Sequence, residues 1–247
     1  MSDAARSRLA VALDLATREA ILEAARTLAP ETGVLKLGLE AFVSQGPDLV
    51  REIAAAGARV FLDLKLHDIP NTVGRAAAAA VSTGASIVNC HAAGGPAMMA
   101  AFGDEARAAA AKAGLPRPSL IAVTVLTSLD AAALARIGLA GSPGEAAVRL
   151  AVLAKESRLD GVVCSPEEIG AIRSACGKDF LLVVPGVRPA GAETGDQKRV
   201  ATPGEAIRAG ADLLVVGRPI LAAKDPVAAA RAIVAEIAAA IATSPLA

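Results

Sequence analysis

The sequence predicts a single (β/α)8 barrel, and three observations support this prediction. Short apolar runs rich in β-branched residues alternate along the chain with longer, alanine-rich segments of helical period. Eight runs of each kind are present, and strict alternation favours parallel strands joined by right-handed crossovers. The length of 247 residues suits one barrel, so we expect residues 1–247 to form one domain.

The predicted strands are short and mainly apolar runs in which β-branched residues recur. In chain order the predicted strands are residues 9–15, 34–38, 59–65, 86–91, 120–126, 161–164, 181–184 and 213–217. The predicted helices have apolar residues at helical spacing, and several have proline in the first turn, where its missing N–H breaks no helical hydrogen bond. They are residues 18–28, 47–56, 73–83, 96–113, 143–157, 166–175, 203–209 and 226–240.

A doubly wound open sheet is the structural alternative, because it also alternates strands and helices. Such a sheet normally carries a glycine-rich dinucleotide-binding turn after its first strand. Here the first strand leads into Asp14-Leu15-Ala16-Thr17, which contains no glycine. The first turn therefore favours the barrel.

Composition excludes several classes of function. The 25 basic and 25 acidic residues cancel, and tryptophan and tyrosine are absent, so neither a basic surface nor base-stacking aromatics indicate nucleic-acid binding. The chain has no apolar stretch of about 18 residues, which argues against a membrane span, and its start lacks the apolar segment of a signal peptide. Cys90, Cys164 and Cys176 match no metal or redox spacing and are typical of buried thiols in a reducing compartment. We therefore expect a cytoplasmic protein.

Four charged residues are predicted to meet at one end of the barrel. Active sites of parallel barrels lie at the carboxyl ends of the strands. Asp14 is at the end of the first strand, Lys36 is in the second, and Asp63 and Lys65 share one face of the third because side chains alternate along a strand. A structural salt bridge is the alternative interpretation, but stability alone does not require such a cluster in a barrel interior.

A phosphate site is predicted near the last two strands, where many barrels bind phosphate. Gly217 allows close approach of a ligand to the backbone, the following helix start offers free N–H groups, and Arg218 adds a guanidinium group. Strand seven leads to Pro185 and Arg188 at the start of the segment 185–201, which we expect to be a functional lid rather than a plain solvated loop. These features indicate an enzyme that acts on a small phosphorylated substrate, and they do not identify the reaction.

The motifs of the chain resemble those of the orotidine 5'-phosphate decarboxylase family, in its bacterial type 1 form. Residues 61–72 (FLDLKLHDIPNT) are similar to the family's signature. The resemblance extends over nearly the whole chain, through LD at 13–14, KLG at 36–38, NCHA at 89–92, VTVLTS at 123–128, DGVVCS at 160–165, PGVRP at 185–189, GDQ at 195–197 and VGRP at 216–219. The pattern Asp-x-Lys-x-x-Asp alone is less specific, since related phosphosugar enzymes share it.

The resemblance implies decarboxylation of orotidine 5'-monophosphate (OMP) to uridine 5'-monophosphate (UMP), without cofactor or metal, in a homodimer. Lys65 would donate the proton to C6, Asp63 would lie beside the substrate carboxylate, and Lys36 would hold Asp63 and the ribose. Asp68, Ile69 and Thr72 would reach the neighbouring subunit's site. Further substrate contacts are implied for Asp14, Thr127, Ser128, Pro185, Arg188, Gln197, Gly217 and Arg218.

Two alternatives remain from the sequence. The first is a magnesium-dependent phosphosugar aldolase or decarboxylase of the same superfamily, and the second is a non-catalytic nucleotide-binding barrel. The motif after Asp68 and the sequence around Gln197 speak against the first, and the intact Asp63, Lys65 and Asp68 speak against the second. His67 and His91 are too few for a zinc site, and we expect both to be structural.

Overall fold

The eight strands close into a parallel barrel. The computed structural model describes residues 2–189 and 201–243, and in these ranges each strand pairs with the next in chain order while the eighth pairs with the first. The strands are β1 (Leu9–Ala12), β2 (Val34–Gly38), β3 (Val60–Leu66), β4 (Ile87–His91), β5 (Ser119–Val123), β6 (Gly161–Val163), β7 (Leu181–Val184) and β8 (Leu213–Val216). The predicted fold class is confirmed.

Helices surround this barrel, and their bounds differ from the predicted ones mainly at the ends. They are α1 (Asp3–Arg6), α2 (Arg18–Leu28), α3 (Leu39–Gln45), α4 (Pro47–Ala55), α5 (Pro70–Val81), α6 (Gly95–Ala113), α7 (Ala131–Arg136), α8 (Pro143–Glu156), α9 (Ile169–Cys176), α10 (Pro203–Arg208), α11 (Arg218–Leu221) and α12 (Pro226–Ala242). Three short 3-10 turns also occur, at Ala29–Glu31, Ala92–Gly94 and Pro166–Glu168.

Four short helices were not predicted from the sequence, and α5 starts earlier than predicted. Helices α1, α3, α7 and α11 span only four to seven residues, too few to display a helical period. Helix α5 begins at Pro70, three residues before the predicted start at Val73, because proline is well suited to the first helical position. Thr72 consequently lies on a helix rather than in a loop.

The core has two layers separated by the sheet. A small inner cluster fills the barrel and consists of Ala10, Ala12, Val34, Phe61, Ile87, Ile121, Val183, Leu213 and Val215. A larger outer cluster lies between the strands and the helices, and it includes Leu62. Because neighbouring residues of β3 belong to different layers, the alternation along that strand directs Phe61 inward and Leu62 outward.

Ion pairs fix the amino end of the barrel, opposite the predicted site. Asp160 precedes β6, accepts the Leu120 N–H at 2.7 Å and pairs with Arg117. Asp212 precedes β8, accepts the Leu182 N–H at 2.8 Å and forms an ion pair with Arg173. Both aspartates stand where a strand starts and satisfy a backbone N–H of the preceding strand, which assigns these charges to the stability of the barrel.

No helix among the described residues is long and apolar enough to cross a membrane.

Candidate active site

The carboxyl end of the barrel opens into a cavity of about 510 Å³, a size that suits a small ligand. Its polar lining consists of Asp14, Lys36, Asp63, Lys65, Thr127, Arg188 and Arg218. Its apolar and small lining consists of Ala12, Phe61, Val123, Val125, Leu126, Val163, Cys164, Pro185, Val215 and Gly217. The inner core cluster forms the floor of this cavity, since Ala12, Phe61 and Val215 belong to both.

The four charges predicted to converge form one chain of alternating sign, which we call the acid–base cluster and which consists of Asp14, Lys36, Asp63 and Lys65. The Lys36 Nζ lies 3.2 Å from the Asp14 Oδ1 and 3.6 Å from the Asp63 Oδ2. The Lys65 Nζ lies 2.7 Å from the Asp63 Oδ1. Lys36 and Asp63 retain only 9% and 11% of their side-chain exposure, whereas Lys65 retains 30% and Asp14 retains 56%. The inner pair is therefore buried, and the outer two charges face the open cavity.

Asp63 is held ionised by its neighbours. Burial alone would raise its pKa, but the positive charges of Lys36 and Lys65 and the hydrogen bonds from Lys65 and Asn89 bring the pKa below its ordinary value. Two cations and two carboxylates balance within the cluster. A bound ligand therefore meets a carboxylate at Asp63 and an ammonium group at Lys65, placed side by side.

Gly38 provides the space in which Lys36 and Asp14 meet. A Cβ atom at this position would lie 3.1 Å from the Lys36 Nζ and 3.3 Å from the Asp14 Oδ1, which is closer than most side chains tolerate. A side chain at position 38 would thus crowd the ion pair, and this crowding, not the backbone conformation, favours glycine there.

Two arginines line the cavity on the side of β7 and β8. Arg188 is 8% exposed, and its Nη1 donates to the Val187 carbonyl at 3.0 Å. Its backbone N–H donates to the Ala201 carbonyl at 2.9 Å, which joins the described ends of the segment 185–201. Arg218 begins α11 directly after Gly217. Since β1 lies between β8 and β2, Asp14 stands between Arg218 and the buried pair of Lys36 and Asp63.

The structure brings most of the predicted site residues together. Nine of them line the cavity, namely Asp14, Lys36, Asp63, Lys65, Thr127, Pro185, Arg188, Gly217 and Arg218. Four do not line the cavity of their own chain, namely Asp68, Ile69, Thr72 and Ser128. Gln197 and residues 190–200 of the predicted lid lie outside the described residues.

Asn89 is a site residue that the sequence analysis missed. Its side-chain amide donates to the Asp63 Oδ1 at 2.7 Å, and its side-chain oxygen accepts the backbone N–H of Lys65 at 2.8 Å. The signal was present in the sequence, because an amide stands two residues after Ile87 and therefore on the inward face of β4. A buried polar residue at an inward position of an apolar strand needs hydrogen-bond partners. Here the two partners are Asp63 and Lys65.

The two histidines lie beside this cluster, and only one of them is shielded from solvent. The rings of His67 and His91 have centroids 5.4 Å apart. His67 is exposed in the isolated chain, whereas His91 is half-buried at the end of β4. Burial lowers the pKa of His91, the positive charges of His67 and Lys65 lower it further, and Asp63 opposes them. His91 is therefore neutral at physiological pH.

Replacement of His91 by glutamine should reduce the acid sensitivity of folding. A native pKa below the unfolded value means that the unfolded chain binds the proton first, so His91 contributes a loss of stability as pH falls below about 6.5. The stability advantage of the parent over His91→Gln should therefore shrink as the pH falls from 7 to 5. Urea unfolding at both pH values measures this, and a difference that does not change with pH contradicts the assignment.

Among residues 2–189 and 201–243, no three or more His, Cys, Asp or Glu side chains are grouped so that they could hold a metal ion. The lining instead offers two ammonium and two guanidinium groups, which suit an anionic organic ligand.

Comparisons with known proteins agree on one family. A family model described as "Orotidine 5'-phosphate decarboxylase / HUMPS family" matches residues 7–233. A protein from Anaeromyxobacter dehalogenans named orotidine 5'-phosphate decarboxylase is 58% identical over 92% of this chain and 97% of its own length. A protein of the same name from Moorella thermoacetica is 54% identical over 94% of this chain and 93% of its own length.

Solved structures agree with the sequence relatives. The crystal structure of orotidine 5'-phosphate decarboxylase from Lactobacillus acidophilus superposes with a TM-score of 0.82 at 38% identity, covering 93% of this chain and 98% of that one. The structure of orotidine 5'-phosphate decarboxylase from Pyrococcus horikoshii superposes with a TM-score of 0.74 at 27% identity, covering 93% of this chain and 99% of that one. The likeness thus extends over almost the entire barrel.

Proposed function

The chain belongs to the orotidine 5'-phosphate decarboxylase / HUMPS family, and we propose that its cavity decarboxylates OMP with Lys65 as the proton donor. The reaction is the conversion of OMP to UMP and carbon dioxide in pyrimidine biosynthesis, and the enzyme is a carboxy-lyase. The observation that carries the assignment of the proton donor is the contact of 2.7 Å between the Lys65 Nζ and the Asp63 Oδ1 at the mouth of the cavity.

The acid–base cluster fits the electronic demands of this reaction. When the bond between C6 and the carboxylate breaks, its electron pair stays on C6 and neutral carbon dioxide leaves. The ammonium group of Lys65 stabilises the developing negative charge and then transfers one proton to C6, which leaves UMP and a neutral amine. Water restores the proton to Lys65. No oxidant or electron-accepting group is needed for this balance.

The remaining cavity residues bind and orient the substrate. Asp63 lies beside the departing carboxylate, and Lys36 holds both Asp63 and a ribose hydroxyl, which Asp14 also contacts. Thr127 and Ser128 follow β5 and contact the pyrimidine ring of the substrate. Gly217 and Arg218 bind the phosphate with Arg188 beside them, and Gln197 is assigned to the same phosphate. Binding energy from the phosphate, far from C6, is available to orient the reacting end.

The active enzyme is a homodimer in which each cavity is completed by its neighbour. Asp68 is exposed, and its Oδ1 accepts the Ile69 N–H at 2.6 Å without touching the cluster of its own chain. Ile69 is 65% exposed, and Leu39 and Val43 of α3 are 52% and 79% exposed at the same end of the barrel. Exposed aliphatic side chains beside an unused catalytic carboxylate support burial against a second copy of this chain.

The protein is proposed to act in the cytoplasm without cofactor or metal. Cys90, Cys164 and Cys176 are free and buried, as is usual in a reducing compartment. The magnesium-dependent phosphosugar enzyme is not favoured, since both curated relatives described above are named orotidine 5'-phosphate decarboxylase. The non-catalytic barrel is not favoured either, because the Lys65–Asp63 pair is assembled.

The direct test follows the ultraviolet absorbance of OMP with the purified protein in excess chelator. We expect rapid loss of OMP at the same rate with and without chelator. Absence of loss, together with turnover of a phosphosugar once magnesium is added, would assign the chain to the magnesium-dependent alternative.

Replacement of Arg218 by alanine should weaken the enzyme toward OMP and leave its action on orotidine almost unchanged, because orotidine has no phosphate. Loss of a charge-assisted contact of about 1.5–3 kcal/mol corresponds to a fall in kcat/KM for OMP of roughly 10- to 150-fold. Steady-state kinetics on both substrates measure the effect. Equal losses on the two substrates would show that Arg218 does not act through the phosphate.

A further inference from the structure

Lys65 has an unusual backbone conformation for a residue within a strand. Its φ is +51°, and only one other non-glycine residue of the described ranges, Arg158, has a positive φ. A side-chain-bearing residue in the left-handed region costs about 1–2 kcal/mol. The pairing of β3 with β4 shifts register between Leu62 and Leu66, so this conformation coincides with a bulge in the strand.

The side chain of Asn89 contacts both Asp63 and Lys65. Asn89 is 1% exposed and lies on β4, opposite the bulge. Its oxygen accepts the Lys65 backbone N–H at 2.8 Å, and its amide nitrogen donates to the Asp63 Oδ1 at 2.7 Å. That same Oδ1 accepts from the Lys65 Nζ at 2.7 Å. These contacts close a ring of three residues.

A side-chain amide in this orientation satisfies both contacts. The Lys65 backbone N–H requires an acceptor and the Asp63 carboxylate requires a donor, and a carboxamide supplies one of each. Rotating the amide by half a turn would face a carbonyl oxygen toward a carboxylate and an NH₂ group toward an N–H. Asn89 thus supplies the acceptor for the Lys65 N–H at the bulge, where the register between β3 and β4 is interrupted.

We infer that Asn89 is a positioning residue, which holds Lys65 in its left-handed conformation and orients Asp63 so that the ammonium group points to C6 of the substrate. The inference rests on the proposed role of Lys65 as proton donor. Without Asn89, the Lys65 N–H loses its acceptor and Asp63 loses a donor, so the backbone of the bulge is free to shift and to displace the Lys65 Nζ relative to Asp63. The expected loss is in the chemical step rather than in substrate binding.

Two substitutions test this role. Asn89→Ala removes both hydrogen bonds, and a displacement of the reacting group by about 1 Å corresponds to a fall in kcat of roughly 10²-fold. We expect KM for OMP to change less than about threefold, because the phosphate contacts are remote from Asn89. Asn89→Asp keeps the acceptor for the Lys65 N–H. It donates to Asp63 only when the introduced carboxyl group is protonated.

The pH profile separates positioning from simple support of the fold. In Asn89→Asp, kcat relative to the parent should rise at least about tenfold between pH 8 and pH 5.5, since a carboxyl group buried beside a carboxylate retains its proton to higher pH. Thr32→Ala is the matched control, because Thr32 is a buried polar residue whose hydroxyl donates to the Leu9 carbonyl at the amino end of the barrel. It should lower Tm and leave kcat unchanged.

The outcomes are distinct. If both Asn89 variants keep kcat within threefold of the parent at every pH, or if neither folds, Asn89 supports the barrel and does not position Lys65. If the parent itself does not consume OMP, the proposed function fails irrespective of Asn89.

Discussion

Replacement of Lys65 by alanine is expected to lower kcat for OMP by at least about 10⁴-fold, because one substitution removes both the proton donor and the charge that stabilises the C6 carbanion. The cavity otherwise stays intact, since Asp63 retains the Lys36 ammonium at 3.6 Å and the Asn89 amide at 2.7 Å. The substrate should therefore still bind, and the loss should appear in kcat. Ultraviolet assays at high enzyme concentration, with UMP binding measured by calorimetry, provide the two quantities.

The matched control for this variant is Lys112→Ala. Lys112 is an exposed lysine in the last turn of α6, outside the lining of the cavity. This control should retain the activity and Tm of the parent. A Lys65→Ala protein that folds, binds UMP and keeps more than about one hundredth of the parent activity would show that another group protonates C6.

Mixing two inactive variants should restore activity through hybrid dimers. In the proposed dimer, Lys65→Ala lacks the proton donor of its own cavity and still offers Asp68 to its neighbour, whereas Asp68→Ala has the opposite defect. In a hybrid, one of the two cavities then contains both groups. Random exchange of equal amounts makes half of the dimers hybrids, so about a quarter of the parent activity should return in an isologous dimer.

The control for complementation uses two defects within one cavity. Lys65 and Asp63 belong to the same chain and lie 2.7 Å apart, so a mixture of Lys65→Ala with Asp63→Ala can form no intact cavity. That mixture should remain inactive. Proof of subunit exchange by differently tagged chains, combined with no recovery in the Lys65→Ala and Asp68→Ala mixture, would overturn the shared-site dimer.

Much of the site could be predicted from the sequence, because all strands of a parallel barrel have their carboxyl ends on the same side. Alternation along β3 directs Asp63 to the inside of the barrel, and the adjacency of β1, β2 and β3 brings Asp14 and Lys36 to it. Gly217 and Arg218 follow β8 for the same topological reason. These predictions depend on local pattern and strand order, both of which can be read in a linear sequence.

The conformation of Lys65 and the role of Asn89 were decided by the tertiary structure. Two residues separated by 24 positions meet only because β3 and β4 are neighbours, and the bulge between Leu62 and Leu66 shifts their register. Simple alternation did predict that Lys65 shares a face with Asp63. It did not predict that Lys65 does so with a φ of +51°, stabilised by a side chain from another strand.

The sequence by itself thus determined the barrel, the end at which the cavity opens and the charged residues that line it. Hydrophobic period and strand order act over short distances along the chain, which is why they survive in a one-dimensional pattern. Only the tertiary structure decided the 3.6 Å and 2.7 Å ion pairs, the backbone of Lys65 and the exposure of Asp68 and Ile69 away from their own cavity. Those features depend on register and packing between strands, where a shift of one residue changes every contact.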